Sequence, residues 1–123
     1  MENLSYKLKI AALWVLNMVF FIVYRTIALN ENAVETSLLS NGELATMLAL
    51  MFLFAVLTVF LKYKLNRSTN IIAGTVFGVA HLAVFVDGII GYPTAIFNIM
   101  SGISILLMAA VIWLAVRWRK PNA

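Results

Sequence analysis

The sequence predicts an all-α integral membrane protein, folded as an antiparallel up-down bundle of four transmembrane helices. Three observations predict it: an apolar composition, four long apolar stretches, and Lys and Arg residues that collect on one side of those stretches. Hydrophobic residues make up 63% of the 123 residues and charged residues 11%, whereas soluble domains are about half apolar and about a quarter charged. A soluble domain of this length could not bury so much apolar surface, so the expected solvent, and the first expected partner, is the lipid bilayer.

Four apolar stretches account for the predicted helices, within a single domain of residues 1–123. Spanning a hydrocarbon core about 30 Å thick takes roughly 20 helical residues, and each stretch is long enough. The first stretch is longer than the apolar part of a signal peptide, and no small-residue cleavage site follows it, which favours a retained helix. The predicted spans are residues 8–29, 44–62, 70–91 and 94–116, joined by an outer loop at 30–43 and a polar inner turn at Lys62–Thr69.

The basic residues predict the orientation of the bundle. Eight of the nine Lys and Arg residues flank the spans on one predicted side, and only Arg25 lies on the other. Because Lys and Arg concentrate in cytoplasmic segments, both termini are predicted to be cytoplasmic. These residues anchor helix ends and form no basic face, so no nucleic-acid partner is predicted. The eight are Lys7, Lys9, Lys62, Lys64, Arg67, Arg117, Arg119 and Lys120.

Ionisable residues inside the predicted spans are the first candidates for a functional site, because burying a charge in lipid is costly. Arg25 lies about one turn from the outer end of the first span, and Asp87 lies about one turn from the outer end of the third. Their matching depths allow a salt bridge between them. Alternatively, Arg25 extends outward and meets Glu31, Glu35 or Asp87 at the membrane interface. Arg25, Asp87 and Glu35 are therefore candidates for binding or transport.

His81 falls near the middle of the third span and is predicted to face a neighbouring helix or a narrow polar cavity. One interpretation is a neutral histidine that is hydrogen-bonded to Asn17, Ser101 or a backbone carbonyl. The other is a proton relay or a ligand contact, since imidazole titrates near neutral pH. Asn17 and Asn98 complete the polar candidates for binding or transport.

Small residues predict close contacts between helices. Gly74 and Gly78 form a GxxxG element, which lets another helix backbone approach closely. Asn98 and Gly102 are four residues apart, with Ser101 beside them, and give the fourth helix a small and polar face. Such faces usually join helices; the alternative is that this face lines a pore entrance.

Several classes of chemistry find no support in the sequence. The chain has no cysteine and one histidine, which excludes disulfides, thiolate metal sites and bis-histidine haem ligation within one chain. It contains no phosphate loop, nucleophile elbow, HExxH motif or pair of catalytic carboxylates. No cofactor, metal or catalytic residue is therefore predicted.

The ends of the predicted spans carry a resemblance to a known group of proteins. The segments concerned are Lys7–Trp14, Asn66–Arg67, Asn70–Gly74 and Ile112–Ala115. With these segments the chain resembles a family of small prokaryotic four-span membrane proteins of unknown function, and in size and span count it is similar to DoxX-like proteins. The resemblance implies the four-span architecture and a prokaryotic inner or plasma membrane, and it implies no activity. It also implies an acidic residue at the position of Arg25, where this chain departs from the family.

Three functions fit these observations. The sequence favours a small transporter or channel that works as a homo-oligomer, with Arg25, His81 and Asp87 along its route. The second is an interaction or scaffold subunit that uses its glycine faces to bind itself or a larger membrane partner. The third is a bundle that binds a lipid or a quinone.

Overall fold

A computed structural model of the chain describes residues 2–30, 41–91 and 95–119, with side chains at 4–23, 26, 45–83, 85–86 and 98–119. Across these residues the fold is entirely α-helical and contains no strand, which confirms the predicted all-α class and the number of helices. The helices are α1 (Glu2–Asn30), α2 (Asn41–Phe60), α3 (Tyr63–Gly91) and α4 (Ala95–Arg117). Residues 31–40 of the predicted outer loop lie outside the described residues.

The predicted polar turn at Lys62–Thr69 is wrong, because α3 already begins at Tyr63. Only two residues separate α2 from α3, and the backbone N–H of Asn66 donates to the backbone carbonyl of Lys62 at 2.8 Å. The Asn66 side chain donates to the carbonyls of Thr58 (2.6 Å) and Leu61 (3.2 Å). These two carbonyls come at the end of α2, where a helix leaves carbonyls without backbone partners. The polar composition of this segment therefore reflects helix capping.

The start of α1, the end of α4 and the α2–α3 turn meet at one end of the bundle, named here the termini end. The ring of Tyr6 in α1 stacks on Trp118, which follows α4, with centroids 5.9 Å apart. The Tyr63 hydroxyl, at the start of α3, donates to the Trp118 carbonyl at 2.8 Å. Arg67 donates to the carbonyl of Ala115 (2.9 Å) at the end of α4. Hence α1 and α3 run away from the termini end, and α2 and α4 run toward it.

The helices do not pack equally with their neighbours. Helix α1 packs against α2 on one side and α4 on the other, and α3 packs against α4. Helices α2 and α3 contact each other least, although they are consecutive in the chain. The bundle therefore has three closed seams and one open seam, between α2 and α3.

Glycine allows the close contact between α3 and α4. A Cβ at Gly74 would lie 2.9 Å from Ile112 Cγ1, whereas a Cβ at Gly78 would lie 3.5 Å from Met108 Cβ, an ordinary van der Waals distance. Gly102 of α4 lies against the ring of Phe85. A Cβ at Gly102 would lie 3.4 Å from Phe85 Cε2. The three glycines predicted to pack helices thus line contacts between α3 and α4 of one chain.

Apolar side chains cover the outside of the described helices. Phe52 is 58% exposed, Ile72 is 65% exposed and Leu106 is 68% exposed. Two stretches, Leu4–Val23 and Asn98–Arg117, are long and apolar enough to cross a membrane, with mean hydropathies of 1.7 and 2.5. Apolar side chains also fill the core, and they come from all four helices: Ile10, Trp14, Phe21, Met51, Ala55, Ala73, Phe77, Met108, Val111, Ala115 and, just beyond α4, Trp118.

Candidate functional site

A hydrogen-bonded network of buried polar side chains joins α1, α2 and α3 in the half of the bundle nearer the termini end. The indole N–H of Trp14 donates to Asn70 Oδ1 at 2.7 Å. The Thr58 hydroxyl lies 3.2 Å from the same oxygen and donates its one hydrogen to the Phe54 carbonyl of its own helix at 2.7 Å. All three side chains are at most 1% exposed. One amide oxygen of α3 therefore accepts a hydrogen bond from α1 and lies beside a hydroxyl of α2.

The asparagine pair on α3 uses its remaining hydrogen-bonding capacity within the same network. Asn66 and Asn70 are four residues apart, which places them on one face of the helix. The Asn70 amide group donates to Asn66 Oδ1 (2.7 Å) and to the Asn66 carbonyl (2.9 Å). The Asn66 amide group is already bound to the carbonyls that end α2. Buried polar groups paired in this way stabilise helix contacts and leave no side-chain donor for a ligand.

Two of the predicted site residues, Asn17 and His81, are buried further along the interior. Asn17 is 0% exposed and His81 is 1% exposed. Asn17 Nδ2 lies 3.5 Å from Met51 Sδ in α2, and its Oδ1 has no hydrogen-bond partner among the described residues. His81 packs edge-on against Phe21 of α1, with ring centroids 6.0 Å apart. Both side chains therefore face a neighbouring helix.

The polar face of α4 is also turned inward. Ser101 and Ser104 are both fully buried. The Ser101 hydroxyl donates to the Asn98 carbonyl (3.1 Å), and the Ser104 hydroxyl donates to the Met100 carbonyl (3.3 Å). Each serine thus bonds to its own helix. Asn98 itself is half-buried at the start of the described part of this face.

The predicted ionisable candidates near the outer end are not described by the structure at side-chain level. Arg25 belongs to α1 and Asp87 belongs to α3, but both side chains lie outside the described residues. Glu35 lies outside the described residues altogether. The salt bridge between Arg25 and Asp87 stays a prediction.

The open seam between α2 and α3 forms a groove of about 450 Å³, named here the α2–α3 groove. Its volume falls within the roughly 300–1,000 Å³ of pockets that bind small molecules. Every lining side chain is apolar except Thr69, which comes nearest the termini end along α3. The lining residues are Met47, Leu50 and Phe54 of α2, and Thr69, Ile72, Ala73, Val76, Phe77 and Ala80 of α3.

Trp14 connects the α2–α3 groove to the polar network. Its indole packs against Phe54 (centroids 5.2 Å apart) and edge-on against Phe77 (5.4 Å), two residues that line the groove. The same indole donates to Asn70. Trp14 therefore packs behind two lining residues of the groove, and its hydrogen bond to Asn70 fixes the position of the ring.

Sequence reasoning missed both the network and the groove. A signal for the network was available, since Asn66 and Asn70 are two amides at helical spacing in an otherwise apolar region. The groove has no such signal, because it depends on how far α2 and α3 separate after the turn.

The described part of the chain holds no group of three or more His, Cys, Asp or Glu residues that could bind a metal ion. Comparison with known proteins adds no assignment: no family model, no curated protein and no solved structure matches the chain. The resemblance to the small four-span family and to DoxX-like proteins therefore stays a prediction.

Proposed function

We propose that the chain is a four-span integral membrane protein that binds the acyl chain of a membrane lipid in the α2–α3 groove. The groove is the observation that carries the proposal: it opens sideways between two helices and is lined almost wholly by apolar side chains. Such a groove offers hydrocarbon the same apolar surroundings as the bilayer, together with a defined shape.

Insertion of all four helices is supported by the distribution of polar and apolar side chains. Exposed large apolar residues occur on α2 and α3 as well as on α1 and α4, for example Phe52 and Val76. Polar side chains such as Asn17, Asn70 and Ser104 are buried. Contiguous exposed apolar surface is rare on soluble monomers, whereas lipid solvates it. The positions of the basic residues support an orientation with both termini in the cytoplasm.

The length of the groove favours an acyl chain over a helix of a partner protein. Along α3 the groove runs from Thr69 to Ala80, which is about 16 Å at 1.5 Å per residue. That is close to half of a hydrocarbon core about 30 Å thick, the depth of one leaflet. A transmembrane helix would need a contact surface along the full thickness.

The interior of one chain gives less support to the other two functions, transport and scaffolding. Trp14, Met51 and Met108 are 0% exposed and fill the centre of the described bundle. Gly74 and Gly78, the glycines of the scaffold hypothesis, lie against α4 of the same chain. Transport through an oligomer, by residues outside the described side chains, is a separate hypothesis with its own test in the Discussion.

Quenching of Trp14 fluorescence tests the proposal, because bromine on an acyl chain quenches tryptophan at short range. Trp113→Phe and Trp118→Phe leave Trp14 as the single tryptophan of the chain, which has three. In vesicles of phosphatidylcholine brominated at mid-chain, we expect strong quenching of Trp14. Ala80→Phe should fill the groove and reduce the quenching. The control is Ala109→Phe, which alters an exposed alanine of α4 outside the groove lining and should leave the quenching unchanged.

Two results would overturn the proposal. One is a Trp14 emission that brominated lipid does not quench. The other is quenching that Ala80→Phe leaves unchanged while circular dichroism shows the helices intact. If the tryptophan variants do not fold, native mass spectrometry of the unmodified chain in detergent replaces fluorescence. The expected result is then retained phospholipid that Ala80→Phe removes. Self-association lost in Ala80→Phe, without bound lipid, would assign the groove to a second copy.

A further inference from the structure

We propose that the α2–α3 groove selects anionic phospholipids of the leaflet at the termini end, with Lys62 binding the phosphate and Thr69 the glycerol-ester region. This inference rests on the proposed function, since it names the headgroup of the lipid whose chain occupies the groove. It follows from the side of α3 on which each cation and each hydroxyl lies.

The groove-facing side of α3 continues without interruption to the termini end. Thr69, Ile72, Val76 and Ala80 recur at spacings of three and four residues and line the groove, which defines one helix face. Lys62 lies seven residues before Thr69, a spacing of two helical turns that returns to the same face. The backbone carbonyl of Lys62 accepts a hydrogen bond from the backbone N–H of Asn66 at 2.8 Å, so Lys62 leads directly into α3. Its exposed side chain is therefore placed in line with the mouth of the groove.

The other cations near the start of α3 are placed differently. Lys64 is exposed as well, but two residues further along a helix turn it by about 200°, to the opposite side of α3. Arg67 donates to the carbonyls of Ala115 (2.9 Å) and Val116 (3.0 Å) and so caps the end of α4. Among these three cations near the start of α3, Lys62 is the one aligned with the groove.

Thr69 adds a polar contact where the acyl chain would begin. Hydroxyls in apolar helices usually donate to the carbonyl four residues earlier, as Thr58 and Thr75 do here, to Phe54 and Ile71. Thr69 makes no such bond to any described residue, and its side chain is half-buried in the groove lining. Its hydroxyl is thus available to an oxygen of the ligand.

The distances along the helix match a phospholipid. Seven residues from Lys62 to Thr69 correspond to about 10 Å of helix axis. A phosphate at Lys62 with its ester groups at Thr69 therefore leaves about 16 Å of groove for the chain. The carbon chain lies against apolar residues throughout, and the negative charge lies at the membrane surface, where Lys interacts with anionic lipid.

The test compares brominated phosphatidylglycerol with brominated phosphatidylcholine as quenchers of Trp14, each diluted into unbrominated phosphatidylcholine. The ratio of the two quenching constants measures headgroup preference independently of chain binding. We expect a ratio in favour of phosphatidylglycerol, which Lys62→Gln lowers about fivefold and Lys62→Arg retains. Lys64→Gln, which removes the same charge two residues further along the chain, should leave the ratio unchanged. Thr69→Val should weaken quenching by both lipids.

Each other outcome identifies which proposal fails. If Trp14 is quenched equally by both lipids, or if Lys62→Gln keeps the wild-type ratio, the headgroup inference is overturned and the proposed function stands. An equal decrease of the quenching ratio in Lys62→Gln and in Lys64→Gln would indicate general attraction of anionic lipid to a charged surface. That result would also overturn the headgroup inference. If no lipid quenches Trp14, the proposed function fails, and the headgroup inference fails with it.

Discussion

Trp14 and Asn70 lie 2.7 Å apart, indole nitrogen to amide oxygen, and this hydrogen bond ties the first helix to the third across the interior of the bundle. The same indole packs against Phe54 and Phe77, two residues that line the α2–α3 groove. Two side chains of the groove wall are thus backed by a ring that a polar contact holds in place.

The strength of this contact can be measured with a double-mutant cycle of Trp14→Phe and Asn70→Ala. We expect a coupling free energy of about 0.6–1.7 kcal/mol, the range found for hydrogen bonds between helices in membranes. The measurement is reversible unfolding in mixed micelles of a mild detergent and dodecyl sulfate. Trp113→Phe combined with Asn70→Ala is the control, because Trp113 is 56% exposed and stacks on Arg117. Additive effects of Trp14→Phe and Asn70→Ala would contradict the prediction.

The contact between α3 and α4 predicts different costs at its two glycines. Gly74→Ala should destabilise the fold by about 1–3 kcal/mol, because the new Cβ would lie 2.9 Å from Ile112 Cγ1 and force the helices apart. Gly78→Ala should cost much less, since its Cβ would meet Met108 at 3.5 Å. Ile112→Ala removes the opposing atom and should recover part of the loss in Gly74→Ala. Equal costs at the two glycines in the same unfolding assay would argue against this packing.

Membrane orientation can be tested by labelling, because the chain contains no cysteine. We expect an impermeant maleimide added outside intact cells to label Glu35→Cys and to leave Lys64→Cys unlabelled. After permeabilisation both positions should react. Lys64→Cys labelled from outside, with Glu35→Cys protected, would reverse the proposed orientation. Labelling of both positions from outside would contradict the single span, α2, proposed between them.

Ion flux separates lipid binding from transport. With the centre of the described bundle filled by side chains such as Trp14 and Met51, we expect liposomes containing the protein to hold a proton or cation gradient as well as protein-free liposomes do. A leak that Asp87→Asn abolishes would instead establish a route through the outer end. In that case the oligomeric state would become the next quantity to determine.

Much of the fold could be predicted from the sequence, because long apolar stretches and their polar boundaries determine where helices lie. The boundary at residues 62–69 was assigned wrongly for a physical reason: polar residues at a helix start and polar residues in a turn look alike in composition. Asn66 and Tyr63 belong to the helix, and their side chains bond to neighbouring segments.

The candidate site was much harder to predict. Charged residues in an apolar sequence predict a site at Arg25 and Asp87, while the groove is built from ordinary apolar residues such as Phe54 and Ile72. A groove depends on the distance between two helices, and that distance depends on contacts with the other two. Lys62 was predicted only as a marker of orientation, because its alignment with Thr69 appears once the helix start is known.

The interior polar network has a consequence for the order in which the protein is made. Helix α3 carries the buried side chains of Asn66, Asn70 and His81. The residues that contact them from other helices, Thr58, Trp14 and Phe21, come earlier in the chain. Synthesis from the amino terminus therefore produces these partners before the helix that requires them. If the chain inserts into a membrane as proposed, α3 enters it after the two helices that its buried polar side chains contact.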